Sequence, residues 1–428
     1  MPPSLHPLPV VQNWDCHVCG NCCREYVVTI TDEERRRIEG QGWGREPDFA
    51  GVPLFRRSGW WGFRKWELNR RPDGACVFLG EGGRCRIHER FGPEGKPLPC
   101  RLYPFILVPA GEGWRVGLRF ACPSVLASKG RPALEAHGDD LRRFAGVLAA
   151  REGLGRGGQP GGSRELLPPP PLQGRQRVSW PDLFRFTAAL GKLVRDRRDR
   201  VERRLRKCLA LADLCRQARF DKVQGGRLSE FLDILSANLD ADVPADPAAL
   251  PPPGWVGRVL FRQALAVFAR KDQGPNRGLS RQGRVALLRA AARFARGTGP
   301  VPRVHAGLPG VTFEQAEAPA GPLPEAAELL LERYYAVKIE SLQFCGARYF
   351  GVSFWDGLET LVLTLPLVLW LRRAFAGQPA EEAVARGLAM VDDHFGFNPV
   401  LGSARQRLSF RILAHGGELA KLVAWYAR

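Results

Sequence analysis

Cys16-His17-Val18-Cys19-Gly20-Asn21-Cys22-Cys23 puts four thiols into eight consecutive residues. A two-residue gap lets a tight turn bring two thiolates to one metal ion, and Gly20 and Asn21 suit such a turn. Structural zinc sites use this gap, and so do iron–sulfur clusters, so the spacing leaves the metal open. The vicinal pair adds a constraint. Adjacent side chains diverge, so Cys22 and Cys23 are expected to serve different metals, or different irons of one cluster.

Working outward, four more cysteines follow at Cys76, Cys85, Cys100 and Cys122, whereas only Cys208, Cys215 and Cys345 lie beyond them. The N-terminus, MPPSLHPLPVVQNW, has no basic start followed by an apolar run, so no export signal is expected and the cytoplasm is the expected compartment. A reducing compartment does not maintain structural disulfides, so the crowding points to metal. The eight thiolates Cys16, Cys19, Cys22, Cys23, Cys76, Cys85, Cys100 and Cys122 would satisfy two four-coordinate zinc sites or two four-iron clusters. Cys122 precedes Pro123, as the last ligand does in ferredoxin-type runs, which is a small point for iron. Arg24, Arg84, Arg86 and Arg101 stand beside the thiols in sequence and could offset their charge or donate to sulfur. His17 and His88 could each replace a thiolate. Cys208, Cys215 and Cys345 read as small buried hydrophobes.

The chain has 428 residues, 45% hydrophobic and 25% charged, which excludes collagen, coiled coil and wholesale disorder. No apolar run reaches 18 residues; Leu361 to Leu371, with Pro366 inside it, reads as a buried helix. The net charge of +19 comes with abundant Arg, Ala, Gly and Pro, a mixture that a GC-rich genome gives to any protein, so nucleic acid is not an expected partner.

The expected fold is α+β: a small metal-stapled cysteine domain with short strands, then a mainly α-helical C-terminal region. The cysteine domain covers residues 14–127. Its strand-like runs are Tyr26 to Ile30, Trp60 to Leu68, Cys76 to Leu79, and a hairpin of Phe105 to Pro109 with Trp114 to Phe120. Thr31-Asp-Glu-Glu34 is a capping box that opens a helix closed by Gly40, and another helix spans Pro132 to Ala149. A Gly- and Pro-rich linker, 150–178, separates it from a helical segment, 179–242, and a helical domain, 254–428. In the second block Leu183, Phe186, Leu190, Val194, Val201, Leu205 and Leu209 recur at helical spacing. The run Arg195 to Lys207, with eight basic and three acidic residues, reads as a solvated face. Helices are expected at Trp255 to Arg270, Ser280 to Arg296, Glu325 to Leu342, Trp355 to Phe375 and Ala380 to Phe395, with a loop from Gly297 to Pro324. Trp60, Trp61 and Trp66 are expected to pack the small domain. Asp392-Asp393-His394 reads as a helix end, and Glu340 and Glu359 as surface positions.

After the first cluster come Asp73-Gly-Ala-Cys76-Val-Phe-Leu79, Gly83-Arg-Cys85-Arg-Ile-His88 and Pro99-Cys100-Arg-Leu-Tyr103-Pro104-Phe105. In order and spacing these resemble the CxxCxxCC zinc- or iron-chelating family, also called the YkgJ cysteine-cluster family, which includes the flagellin lysine-N-methylases. The resemblance covers residues 14 to about 125. It departs at Phe91 to Gly95, which look inserted, and at Lys96-Pro97, which stands where Arg-Pro is expected. Tyr334-Tyr-Ala-Val-Lys338, Phe350-Gly351 and Trp355-Asp-Gly357 look like the C-terminal segment of the methylase-like members.

The resemblance implies an enzyme that moves a methyl group from S-adenosylmethionine to a protein lysine, with a flagellin-like protein as partner. No Gly-rich dinucleotide loop follows a strand here, so the cofactor would have to bind at the metal, through an iron with a free coordination position. The other class is a non-catalytic chelating or redox-sensing accessory protein, which closed all-sulfur sites favour. The expected cofactor is an iron–sulfur cluster or zinc, with iron favoured, and S-adenosylmethionine as the possible co-substrate. No catalytic residue stands out.

Overall fold

A computed structural model describes residues 3–7, 12–59, 64–154, 165–279 and 283–428. The strands all lie before Arg119: β1 (Leu5–His6), β2 (Thr29–Ile30), β3 (Phe55–Ser58), β4 (Lys65–Leu68), β5 (Phe105–Ala110) and β6 (Gly113–Leu118). One sheet has the order β2-β4-β3 and is antiparallel; the other has the order β1-β6-β5, with β1 parallel to β6. The expected hairpin is present, turning between Ala110 and Gly113. Elsewhere the strands are shorter than expected. Tyr26 to Ile30 pairs only at its end, and residues 60–63 lie outside the described residues, Trp60 and Trp61 among them. Cys76 to Leu79 makes no ladder, only the single bridges Arg70↔Cys76 and Leu79↔Cys85. Turns at Asp73-Gly74 and at Gly80 to Gly83 bracket that run too closely for a strand.

The helices of the cysteine region are short: α1 (Asn21–Glu25), α2 (Asp32–Glu39), α3 (Arg86–Phe91), α4 (Leu98–Leu102) and α5 (Pro123–Leu126), followed by α6 (Ala133–Glu152). α2 opens with the capping box: the Thr31 hydroxyl accepts from the Glu34 amide (3.2 Å) and Glu34 accepts from the Thr31 amide (2.9 Å). Glu34 also accepts from the amide of Leu98 (2.8 Å), which fixes α4 and therefore Cys100 against α2.

The rest is helical: α7 (Trp180–Arg195), α8 (Val201–Gln217), α9 (Gly226–Asp242), α10 (Trp255–Ala269), α11 (Arg284–Arg296), α12 (Phe313–Glu317), α13 (Glu325–Glu340), α14 (Phe354–Ala374), α15 (Ala380–His394), α16 (Ala404–His415) and α17 (Glu418–Tyr426). α14 is the central helix, packed by α8, α12, α15, α16 and α17. It is long and apolar enough to cross a membrane by length and composition, and 94% of that span is buried inside the protein.

Three expectations are corrected here. Residues 155–164 of the linker lie outside the described residues, but the proline run after them is not a free tether. Leu172 is fully buried, and Pro171 and Leu172 accept from the first amides of α14. Second, Arg195 to Lys207 is not a solvated face. The helix breaks at Asp196 to Arg200, and Arg204, Arg206 and Lys207 are buried. Each has a carboxylate: Glu332 for Arg204 (2.8 Å), Glu202 for Arg206 (2.8 Å) and Asp199 for Lys207 (2.5 Å). Third, Glu359 is buried against Arg216, and Glu340 is half-buried between Arg115 and Arg195. Arg-rich helices here turn their charges inward in pairs, which periodicity alone does not reveal.

There are two hydrophobic cores. A small one gathers Ile30, Ile38, Trp43, Phe49, Leu68, Val77, Phe78 and Ile87 around the buried Cys76. The β5–β6 hairpin, Cys122 and α6 belong instead to the large core that runs through the helices. The cysteine region therefore straddles both cores. Cys208, Cys215 and Cys345 are buried as expected.

Candidate metal centre

Seven of the eight N-terminal cysteines, all but Cys76, line one cavity of about 720 Å³. All eleven cysteines of the chain are free thiols. Cys16, His17, Val18, Cys19 and Gly20 form a turn into α1, which carries Cys22 and Cys23. That turn is tight enough to force Val18 to a φ of +54°, a conformation β-branched residues avoid. It rests on the Gly82-Gly83 turn, where Gly83 has a φ of +81° and a Cβ would run into the carbonyl oxygen of Val18. The amide of Cys76 donates to the carbonyl of Cys23 (2.7 Å), and Cys85 caps the start of α3. Cys122 caps α5, and His17 Nδ1 lies 3.2 Å from Ser124 Oγ in the same helix.

The sulfurs of Cys22 and Cys23 lie 4.0 Å apart. Two thiolates on one tetrahedral metal with 2.3 Å bonds stand about 3.8 Å apart. The expected divergence of the vicinal pair is therefore absent, because the pair sits on a helical turn that keeps both thiols inward.

Among the described residues no three His, Cys, Asp or Glu side chains stand close enough to hold an ion as they are. The donors fit a zinc or iron centre in kind and in place: soft thiols, one shared cavity, and one pair already at the separation a metal needs. Four of the unliganded thiols are biased toward the protonated form. Cys22 is pushed far up by its hydrogen bond with Cys23 and by burial, Cys76 is pushed up to about 11 by burial, and burial raises Cys100 and Cys122. Metal binding must displace those protons.

The arginines expected beside the sulfurs are occupied elsewhere. Arg84 pairs with Glu89, Arg86 with Glu46 and Asp48, and Arg101 with Glu94; Arg24 donates to the carbonyl of Cys19 (3.2 Å). Among the described residues no guanidinium donates to a cysteine sulfur. Lys96 lines the cavity and opposes the upward shifts at Cys22 and Cys100, and Arg70 does the same at Cys76. The only sequence signal for Lys96 was its position beside Pro97, where the family has Arg. His88 also lines the cavity, and burial lowers its pKa. From α6 come His137, Asp140 and Arg143, which no spacing in the sequence singled out.

Asp392-Asp393-His394 lies in the last turn of α15, outside this cavity, and ties the helices to the hairpin. Asp392 pairs with the fully buried Lys338 (2.6 Å) and accepts from the amide of Ala121 (3.0 Å), the residue before Cys122. Asp393 pairs with Lys271 and with Arg119 (3.1 Å).

Residues 15–121 match the model of the CxxCxxCC family, described as a "putative zinc- or iron-chelating domain"; Cys122 lies one residue past the match. No match was found among the curated proteins or among the solved structures. Residues 15–121 are thus similar to a CxxCxxCC zinc- or iron-chelating domain, which supports metal binding by these cysteines.

Proposed function

We propose that the chain is a metal-dependent enzyme that holds an iron–sulfur centre on its N-terminal cysteines and methylates protein lysines with S-adenosylmethionine. One observation carries the reading: the thiols form one wall of a cavity with room beside them for a small molecule, within the ~300–1,000 Å³ of ordinary ligand sites. An iron centre bound there would supply a coordination position for the amino and carboxylate groups of the cofactor. The chain's own residues would do the rest. His137, held by the carbonyl of Trp14 (3.1 Å), and Asp140 face the cavity from α6 and are placed to take the proton that a lysine ammonium must lose before its nitrogen can attack. Lys96 offsets the charge of the thiolates. The reading puts the protein in the cytoplasm, where its free thiols stay reduced, with a flagellin-like protein as partner and no call for a membrane or nucleic acid.

A second reading, a non-catalytic chelating or redox-sensing accessory protein, is favoured by the burial of Cys76 within the small aromatic core, as in a purely structural site. Binding of S-adenosylmethionine to the anaerobically purified, metal-loaded chain separates the two. Binding that depends on the metal, with methyl transfer to lysine in a flagellin-like substrate, supports the enzyme. Full loading without any cofactor binding supports the accessory role.

A further inference from the structure

We propose that the eight cysteines form two unequal centres: Cys22, Cys23, Cys76, Cys85 and Cys100 form a structural one whose coordination the protein closes by itself, and Cys16, Cys19 and Cys122 hold a second with a position left for another ligand. This rests on the metal-binding reading and goes beyond it by dividing the ligands and their roles.

The division follows the two cores. Cys76 belongs to the small aromatic core, and Cys23, Cys85 and Cys100 pack against it, whereas Cys122 belongs to the large helical core. Backbone ties follow the same line. Cys76 is bonded to Cys23 (2.7 Å), and Cys85 bridges to Leu79 just after Cys76. Residues before Cys16 are tied to the segment after Cys122 instead: the amides of Trp14 and Asp15 donate to the carbonyls of Arg131 (2.9 Å) and Lys129 (3.0 Å), and His17 reaches Ser124. Between Cys19 and Cys22, where one group gives way to the other, the backbone turns at Gly20, at positive φ.

Exposure grades in part the same way: Cys16 and Cys19 are exposed, Cys22, Cys23, Cys85 and Cys100 are half-buried and Cys76 is buried, while Cys122 anchors the second group from a buried position. The five-thiol group has more sulfurs than one tetrahedral ion needs and can close its coordination from protein alone. Three thiolates leave one position for a ligand that is not protein, and two of the three, Cys16 and Cys19, are the exposed thiols of the cavity wall that both groups share. The two groups thus divide a structural from a ligand-binding task.

The test uses the full chain, purified anaerobically and loaded with iron and sulfide or with zinc, and compares wild type with C16S/C19S and C76S/C100S. Metal per chain in C16S/C19S should fall to roughly half, with the unfolding temperature close to wild type, because both residues are on the surface. C76S/C100S should lose the closed centre and unfold at a lower temperature. Should that variant fail to fold, C16S/C19S alone carries the test. With iron, added cyanide should change the visible absorption of wild type and leave that of C16S/C19S unchanged. Complete loss of metal in C16S/C19S would mean a single shared centre, and unaltered metal content would mean that those thiols are not ligands; either result overturns the proposal alone. A wild type that takes up no metal refutes the metal reading itself.

Discussion

Replacing Asp392 by Ala tests how the helical half holds the last thiol of the cysteine region. Asp392 and Lys338 are both fully buried, 2.6 Å apart, and Lys338 also donates to the carbonyl of Leu118 (3.2 Å) and to Gln343 (2.8 Å). Removing the carboxylate leaves a buried ammonium without its counter-ion, a loss of about 3–5 kcal/mol. It also strips the amide of Ala121 of its acceptor, which for a buried N–H costs about 1–3 kcal/mol. The two effects share one side chain and do not simply add. The double variant Lys338→Met with Asp392→Leu separates them. It removes both charges, which is close to neutral, but leaves the Ala121 amide without its acceptor and the Leu118 carbonyl and Gln343 without the Lys338 donor, so a deficit of at least about 1–3 kcal/mol should remain. Urea unfolding of the metal-free protein, followed by tryptophan fluorescence, reads both numbers. Metal content of the loaded protein is the second readout: both variants should hold less, because Ala121 sets the backbone that carries Cys122. A loss below about 1 kcal/mol in Asp392→Ala would refute the reasoning, since it would mean that Lys338 gives up its proton at little cost and that the pair does not anchor the hairpin.

Other outcomes follow from the same structure. Burial lowers the pKa of His394 from 6.5 to about 4, and does the same at His305. The neutral ring is favoured by folding, so this stability is complete above pH 6.5 and is lost as pH falls through 4, by about 3 kcal/mol for His394. Unfolding midpoints measured from pH 7 to 4 should fall steeply, and His394→Asn should flatten the curve. Glu332→Ala strands the buried Arg204 and should cost about 3–5 kcal/mol in the same unfolding assay, whereas exposed Arg198, paired with Asp196, should tolerate Ala with a change below about 1 kcal/mol. Val18→Gly relieves the left-handed backbone of the cysteine turn and should raise stability by up to about 1 kcal/mol with metal content unchanged. Gly83→Ala should do the reverse: its Cβ pushes the turn away, and metal content should drop.

Much of this was legible in the sequence because the signals were local. The capping box at Thr31, the β5–β6 hairpin and the long apolar helices each depend on a few neighbouring residues, and the structure has them close to where they were expected. The cysteines were visible as a group by their crowding alone, and seven of them do line one cavity. What could not be read was long-range. The Arg195 to Lys207 run looks like a solvent face until Glu332 and Asp240 are seen opposite it, and Glu332 is more than 120 residues away. The arginines near the thiols have carboxylate partners that no spacing announces. Lys96 and the α6 side chains reach the cavity from segments far along the chain from the first cysteines, and the split of the cysteines between two cores is a property of packing that has no counterpart in the order of residues.

The most direct test of the account is the metal and sulfide content of the anaerobically purified chain, with its visible absorption. The account predicts bound iron with matching sulfide and thiolate-to-metal absorption, or zinc without colour, and in either case loss of metal when Cys76→Ser and Cys100→Ser are combined, which leaves the five-thiol group with three sulfurs. A chain that folds without either metal, and whose stability is indifferent to those two substitutions, would contradict it.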